Sequence, residues 1–169
     1  VTFDASVDHG NAIIYKDGEQ GAEFTVTKEN ITLTVSSGLI GTASGVTAYR
    51  IYKGSTLTVT STAGNIKSIE FTCTANGDAK QGPGGFTVTD GEYGHDGGKV
   101  GTWTGDASEV VFTASANQVR ASQIVVKVAT STDVEDVTTV VVPVKVLKNG
   151  QVLIMRGENV YNVAGVQVK

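Results

Sequence analysis

Cysteine, proline, histidine and basic charge are all scarce in this chain, and each scarcity removes a class of function. The single cysteine, Cys73, excludes an intramolecular disulfide and a cysteine-rich zinc site. Its place on the apolar side of the Ile69/Phe71 alternation predicts a buried, unreactive thiol. Only His9 and His95 are available as imidazole bases, and no G-x-S-x-G elbow occurs, so a hydrolytic triad has little to build on. Gly82, Gly84 and Gly85 are followed by neither a Lys-Ser/Thr pair nor a helical pattern, so they do not form a phosphate loop. Charged residues make up 18% of the chain and the formal net charge is -4, which leaves no basic field for a nucleic-acid backbone. No apolar run approaches the ~20 residues of a membrane-spanning helix. The longest, Val140 to Leu147, is broken by Pro143 and Lys145, so no transmembrane segment is expected. The N-terminal VTFDASVD starts in a strand-like pattern without a charged leader or apolar stretch, which places any signal peptide outside this sequence.

What is abundant is threonine, valine and glycine, the last numbering 21, a bias toward strands and turns. Arg50 to Ala75 organises the rest. Leu57 and Val59 alternate with threonines, Ser61 to Asn65 turns the chain, and Ile69, Phe71 and Cys73 alternate with polar residues, which predicts a β-hairpin with one face in a core. Glu109 to Ser115 and Arg120 to Val128 repeat the device, with Val110, Phe112, Ala114, Ser122, Ile124, Val126 and Val128 inward. Leu57, Val59, Ile69, Phe71, Phe112, Ile124 and Val126 are expected to share one interior. Short strands are expected near residues 2–4, 12–15 and 22–27, and a clean one at Ile31, Leu33 and Val35. Ser36 to Thr47 is small and Gly-rich, a loop by composition. Asp106 and Glu109 have the spacing of a helical capping box, but the β-branched Val110-Val111 that follows favours a tight turn into a strand.

The fold class is therefore all-β: a two-sheet antiparallel sandwich of jelly-roll type over residues 1–130, a polar linker at 131–139, and a small β-meander at 140–169. The meander is marked by Asn149-Gly150, a strong hairpin signal, then turns at Gly157 and Ala164-Gly165. The last stretch, VKVLKNGQVLIMRGENVYNVAGVQVK, resembles the C-terminal sorting domain of proteins exported by the bacterial type IX secretion system. The match lies in Asn149-Gly150, Val152-Leu153-Ile154, Gly157, Val160 to Val163, Gly165 and the terminal Lys169. The region from Tyr49 to Val128 is similar to a β-sandwich module found upstream of such tails in Bacteroidetes-type surface proteins. These resemblances imply a protein that is secreted or held at the outer cell surface, with the secretion machinery as a partner of the tail. They carry over no catalytic residue.

Asn76 to Gly101 is the longest glycine-dense region and holds the most unusual side chains, so a functional loop is expected there. Tyr93, His95, Asp96 and Trp103 form the candidate ligand-binding set, because sugar recognition needs aromatic faces beside planar polar groups, with Asn117 and Arg120 available from a neighbouring turn. Trp103 alternates within Gly101 to Gly105 as a strand residue does, a pattern that favours the core. Tyr93, between Gly91 and Gly94, is expected to be exposed. Asp78, Asp90, Glu92, Asp96 and Asp106 sit on turns and read as turn residues rather than a glycosidase pair. Calcium is the one ion weighed, through Asp90, Glu92 and Asp96, and no other cofactor is expected. The expected function is a non-catalytic module for adhesion or carbohydrate binding, with a polysaccharide or surface ligand as partner. A neutral polysaccharide is preferred, since Lys80 and Lys99 are the few basic groups nearby. The alternative is a purely structural stalk or spacer with no specific ligand.

Overall fold

The computed structural model describes residues 1–129, 143–156 and 158–168. The chain divides into two units, Val1–Ser131 and Thr132–Lys169. The linker expected at residues 131–139, and residues 140–142 of the expected meander, lie outside the described residues.

Eleven strands build the first unit: β1 (Thr2–Asp4), β2 (Ala22–Lys28), β3 (Ile31–Ala43), β4 (Val46–Ile51), β5 (Thr56–Ser61), β6 (Ile66–Cys73), β7 (Phe86–Val88), β8 (Glu92–His95), β9 (Val100–Ala107), β10 (Glu109–Ala114) and β11 (Val119–Val128). They form one antiparallel sheet in the order β7-β10-β5-β3-β4-β11-β6-β9-β8, with β1 beside β11 and β2 beside β3. The sheet bends over on itself because β3 serves both halves. Its Ile31 to Val35 pair with β5 and β2, while Gly38 to Ala43 pair with β4. The two ends of the path meet across the core. Phe112 of β10 stands edge-on to Phe71 of β6 at 4.9 Å between ring centres, and Phe86 of β7 lies 6.2 Å from Tyr93 of β8. An all-β, nearly closed sandwich results. All seven residues expected to share an interior do so, each no more than 1% exposed.

Pairing departs from expectation at three places. The Arg50 to Ala75 segment does not fold as a hairpin: both edges of β5 are taken by β3 and β10, so the Gly64 turn carries the chain across to β6, which β11 and β9 flank. The two runs contribute to one core instead of bonding edge to edge. β10 and β11 behave likewise, β10 joining β5 and β7 while β11 joins β4, β6 and β1. A register shift between Ala121 and Gln123 also turns Ala121, rather than Ser122, into the core.

Ser36 to Thr47 is strand, not loop. β3 runs through it to a two-residue turn at Ser44-Gly45, whose φ values of 51° and 78° suit a tight hairpin. Its glycines answer to packing: a Cβ on Gly38 would sit 2.1 Å from the Arg50 carbonyl oxygen. The strand expected at 12–15 is reduced to one bridge between Ile14 and Ile40. Asp106 and Glu109 flank a bend between β9 and β10, as the turn reading expected.

The second unit is a four-stranded meander of β12 (Val144–Lys148), β13 (Gln151–Arg156), β14 (Asn159–Asn162) and β15 (Gln167–Val168), in that order. Asn149 and Gly150 close its first hairpin with φ of 52° and 77°. Among the described residues, no helix is long and apolar enough to cross a membrane.

Candidate functional site

The four residues singled out for ligand binding lie on β8, β9 and the turn joining them, yet most of their recognition groups are already engaged. Trp103 is fully buried, its Nε1–H donating to the Asp90 carbonyl at 2.7 Å. Gly91 makes room for it, since a Cβ there would lie 2.5 Å from that indole nitrogen. Tyr93 is half-buried and closes the aromatic core, edge-on to Phe71 and Phe112 at 6.1 and 5.6 Å. Its hydroxyl donates to the Pro83 carbonyl at 2.9 Å, and burial, with Cys73 adding to it, raises its pKa. Tyr93 is half-buried where exposure was expected, because β8 turns its ring toward the core, opposite the exposed Glu92 and Gly94, while part of it still borders the surface.

His95 is bound into its own loop. Nδ1 accepts from the Gly97 N–H at 3.1 Å, which leaves the proton on Nε2 to be donated to Asp78 Oδ1 at 3.2 Å. Neither nitrogen is left over as a base. Asp96 uses Oδ1 to accept from the Gly98 N–H at 2.8 Å, the work of a turn residue. Among the described residues, Asp90, Glu92 and Asp96 do not join in any group of three side chains able to hold a metal ion. Cys73 is buried, and its thiol is pushed up to about 12 by loss of solvent. The region still offers a ligand an open groove of about 540 Å³ on β8 and β9, lined by Tyr93, His95 and Asp96 of the candidate set together with Glu92, Thr102 and Thr104; Trp103 does not line it.

A more enclosed pocket of about 320 Å³ lies on the outer face of β3, β4 and β11. The β3–β4 hairpin supplies its small floor, Gly41, Ala43, Ser44, Val46 and Ala48; Thr74, Gln81, Lys99 and Arg120 form the polar wall. Gln81 holds a left-handed φ of 80°, a strain of about 1–2 kcal/mol for a residue with a Cβ. A parallel bridge from Gln81 to Val119 fixes it beside Arg120.

Arg120 stands directly opposite Arg50 in the β11–β4 register. Desolvation, and then the charge on Arg50, lower its pKa, and its Nε–H donates to Gln118 Oε1 at 2.9 Å. The Arg50 guanidinium stacks 5.1 Å from the Tyr15 ring centre and rests on Gly41, where a Cβ would come within 2.4 Å of it. Among the described residues no carboxylate is within ion-pair distance of either arginine. Arg50 Nε and Thr74 Oγ1 are buried and have no hydrogen-bond partner there. Sequence reasoning named Arg120 and Lys99 only as accessories to the Tyr93 loop, and it passed over Arg50 and Thr74. Asn117 does not line the pocket; its carbonyl lies beside Gly85 instead.

A scan against protein-family models, a search of curated proteins and a search of solved structures each find no match to this chain.

Proposed function

We propose that the protein is a non-catalytic β-sandwich binding module of a secreted or outer-surface protein, of the adhesion or carbohydrate-binding kind. The observation that carries this reading is the pocket between the β3–β4 hairpin and Arg120. It combines a floor of small side chains on the β3–β4 hairpin with Arg120 on β11 and with Thr74, Gln81 and Lys99 on the loops beside it, the make-up of a recognition site. His95, tied at both nitrogens, gives no support to a hydrolytic reading. The test is chemical-shift mapping of the 169-residue chain against a polysaccharide panel. Shifts centred on Ala48, Thr74, Gln81 and Arg120 support the site. Shifts confined to Glu92 through His95 move it to the β8–β9 groove, and none at all favours the spacer.

The spacer reading, a stalk with no specific ligand, draws on one observation of its own. Trp103, the one tryptophan in the chain, is sealed in the core and offers no stacking surface.

For the meander we propose an export signal of the type IX kind. Its support is the resemblance of the tail together with apolar side chains left open on it, among them Leu147, Val163 and Val166 at 60% exposure or more. Residues 134–169 fused to an inert carrier should bring that carrier to the surface of a type IX-competent cell. Retention in the periplasm refutes the proposal.

A further inference from the structure

The nature of the group that enters the pocket can be inferred, on the premise that the pocket is a binding site. Arg50 and Arg120 are two of the chain's three arginines, and the fold sets them opposite each other on neighbouring strands. Like charges in that position repel, and here no carboxylate among the described residues offsets them. Lys99 joins Arg120 in lining the cavity, with Arg50 opposite Arg120 on the neighbouring strand, and no Asp or Glu lines it, although the whole chain carries a net charge of -4. Basic charge is thus left unopposed by any carboxylate lining this cavity.

The donors left over point the same way. Of the groups that line the pocket, the Thr74 hydroxyl is buried without any partner; Arg50 packs beside the floor at Gly41, its Nη2 donating to the Thr42 carbonyl at 3.4 Å and its buried Nε–H without an acceptor. Both can donate to oxygen, and a guanidinium fork matches a planar or tetrahedral oxyanion better than it matches a neutral hydroxyl. Gly41, Ala43 and Ala48 keep the floor low, which leaves room for a ligand oxygen beside Arg120. We infer that the pocket takes one anionic oxygen group, a carboxylate or a sulfate ester, carried by an acidic polysaccharide. The neutral ligand expected from net charge alone gives way to local charge.

Three probes separate the possibilities: an oligogalacturonide bearing carboxylates, a carrageenan-derived oligosaccharide bearing sulfates only, and a neutral malto-oligosaccharide. Each is titrated into the full chain at low and high sodium chloride, followed by amide shifts and calorimetry. At least one acidic probe should shift Thr74, Gln81 and Arg120, and should weaken as salt rises. Its affinity should fall by about tenfold or more in Arg120→Gln, as for loss of a desolvated charge contact. Lys99→Glu changes an exposed loop residue and should also weaken the acidic probe, so the charge dependence can be read even if Arg120→Gln does not fold. Lys127→Ala, an exposed cation on β11 outside the pocket, should change nothing. Which acidic probe binds distinguishes carboxylate from sulfate. If the neutral probe binds the pocket as tightly and Lys99→Glu is without effect, the binding module survives and the anion inference is overturned. Silence toward every probe overturns both.

Discussion

Trp103 and Asp90 are joined by a 2.7 Å hydrogen bond from the indole to a backbone carbonyl, which anchors the turn before β8 to the core. Being the sole tryptophan, Trp103 reports on the fold without interference. Its emission should be that of a buried indole, protected from iodide quenching and unmoved by any saccharide. Trp103→Phe keeps most of the ring but strands the Asp90 carbonyl, at a cost of about 1–3 kcal/mol. A ligand-dependent shift in the emission spectrum would return Trp103 to the binding surface.

Phe71 touches Phe86, Tyr93 and Phe112, so it links both ends of the folded sheet. Phe71→Ala should cost about 3–5 kcal/mol in denaturant melts. A loss under ~1 kcal/mol would mean the ends do not meet over this ring.

Gly38 separates the strand reading of 36–47 from the loop reading. Its added methyl would collide with the Arg50 carbonyl, backbone that cannot swing away, so Gly38→Ala should destabilise by about 1–3 kcal/mol. Gly94→Ala on β8 meets open space and should stay within about 0.5 kcal/mol of the parent. Equal melting midpoints for the two variants would contradict the strand.

Acid should weaken the N-terminal loop. The Ser6 hydroxyl and N–H hold the Asp4 carboxyl below its usual range; for Asp8 the Asp4 N–H is the main cause, with the Lys28 ammonium at 2.9 Å contributing. The unfolded chain therefore binds these protons more readily than the folded one. The associated stability is complete above about pH 4, the ordinary aspartate value, and is lost as pH falls through the lower folded values. Because Lys28 is substantially solvated, the share of its pair with Asp8 is about 0.5–1 kcal/mol. Asp8→Asn should flatten that part of the pH-stability curve, and a curve parallel to the parent's at every pH would remove the assignment.

Legibility in the sequence followed the range of the forces involved. Alternation is local, so it named the buried faces of β5, β6 and β10 and of β11 from Ile124 on, failing at Ser122 where a bulge breaks the register, and Asn149-Gly150 announced a turn that only its own φ angles decide. Which strand bonds to which is not local. Leu57 and Phe71 enter the same core without sharing a hairpin, because strands from elsewhere occupy the edges of β5 and β6. Gly38 and Gly41 looked like loop residues since the reason for their size, Arg50, approaches from the neighbouring strand. The pocket was hidden for the same cause. Arg50 and Arg120 are distant in the chain, and only the β4–β11 register brings them together, whereas Tyr93 and Trp103 drew notice as aromatics, and the alternation that pointed Trp103 to the core did not show that β8 turns Tyr93 inward as well.

The pairing of β1 with the far strand β11 has a mechanical consequence. Val1 exchanges hydrogen bonds with Val126, and Thr2, Phe3 and Asp4 lie opposite Val125, Ile124 and Gln123. A pull between Val1 and Val128 thus acts at one end of an antiparallel pair, loading its cross-strand bonds one rung at a time instead of shearing them together. The strands would unzip from that end at low force, a poor property for a tension-bearing stalk and an acceptable one for a module that only has to hold a ligand.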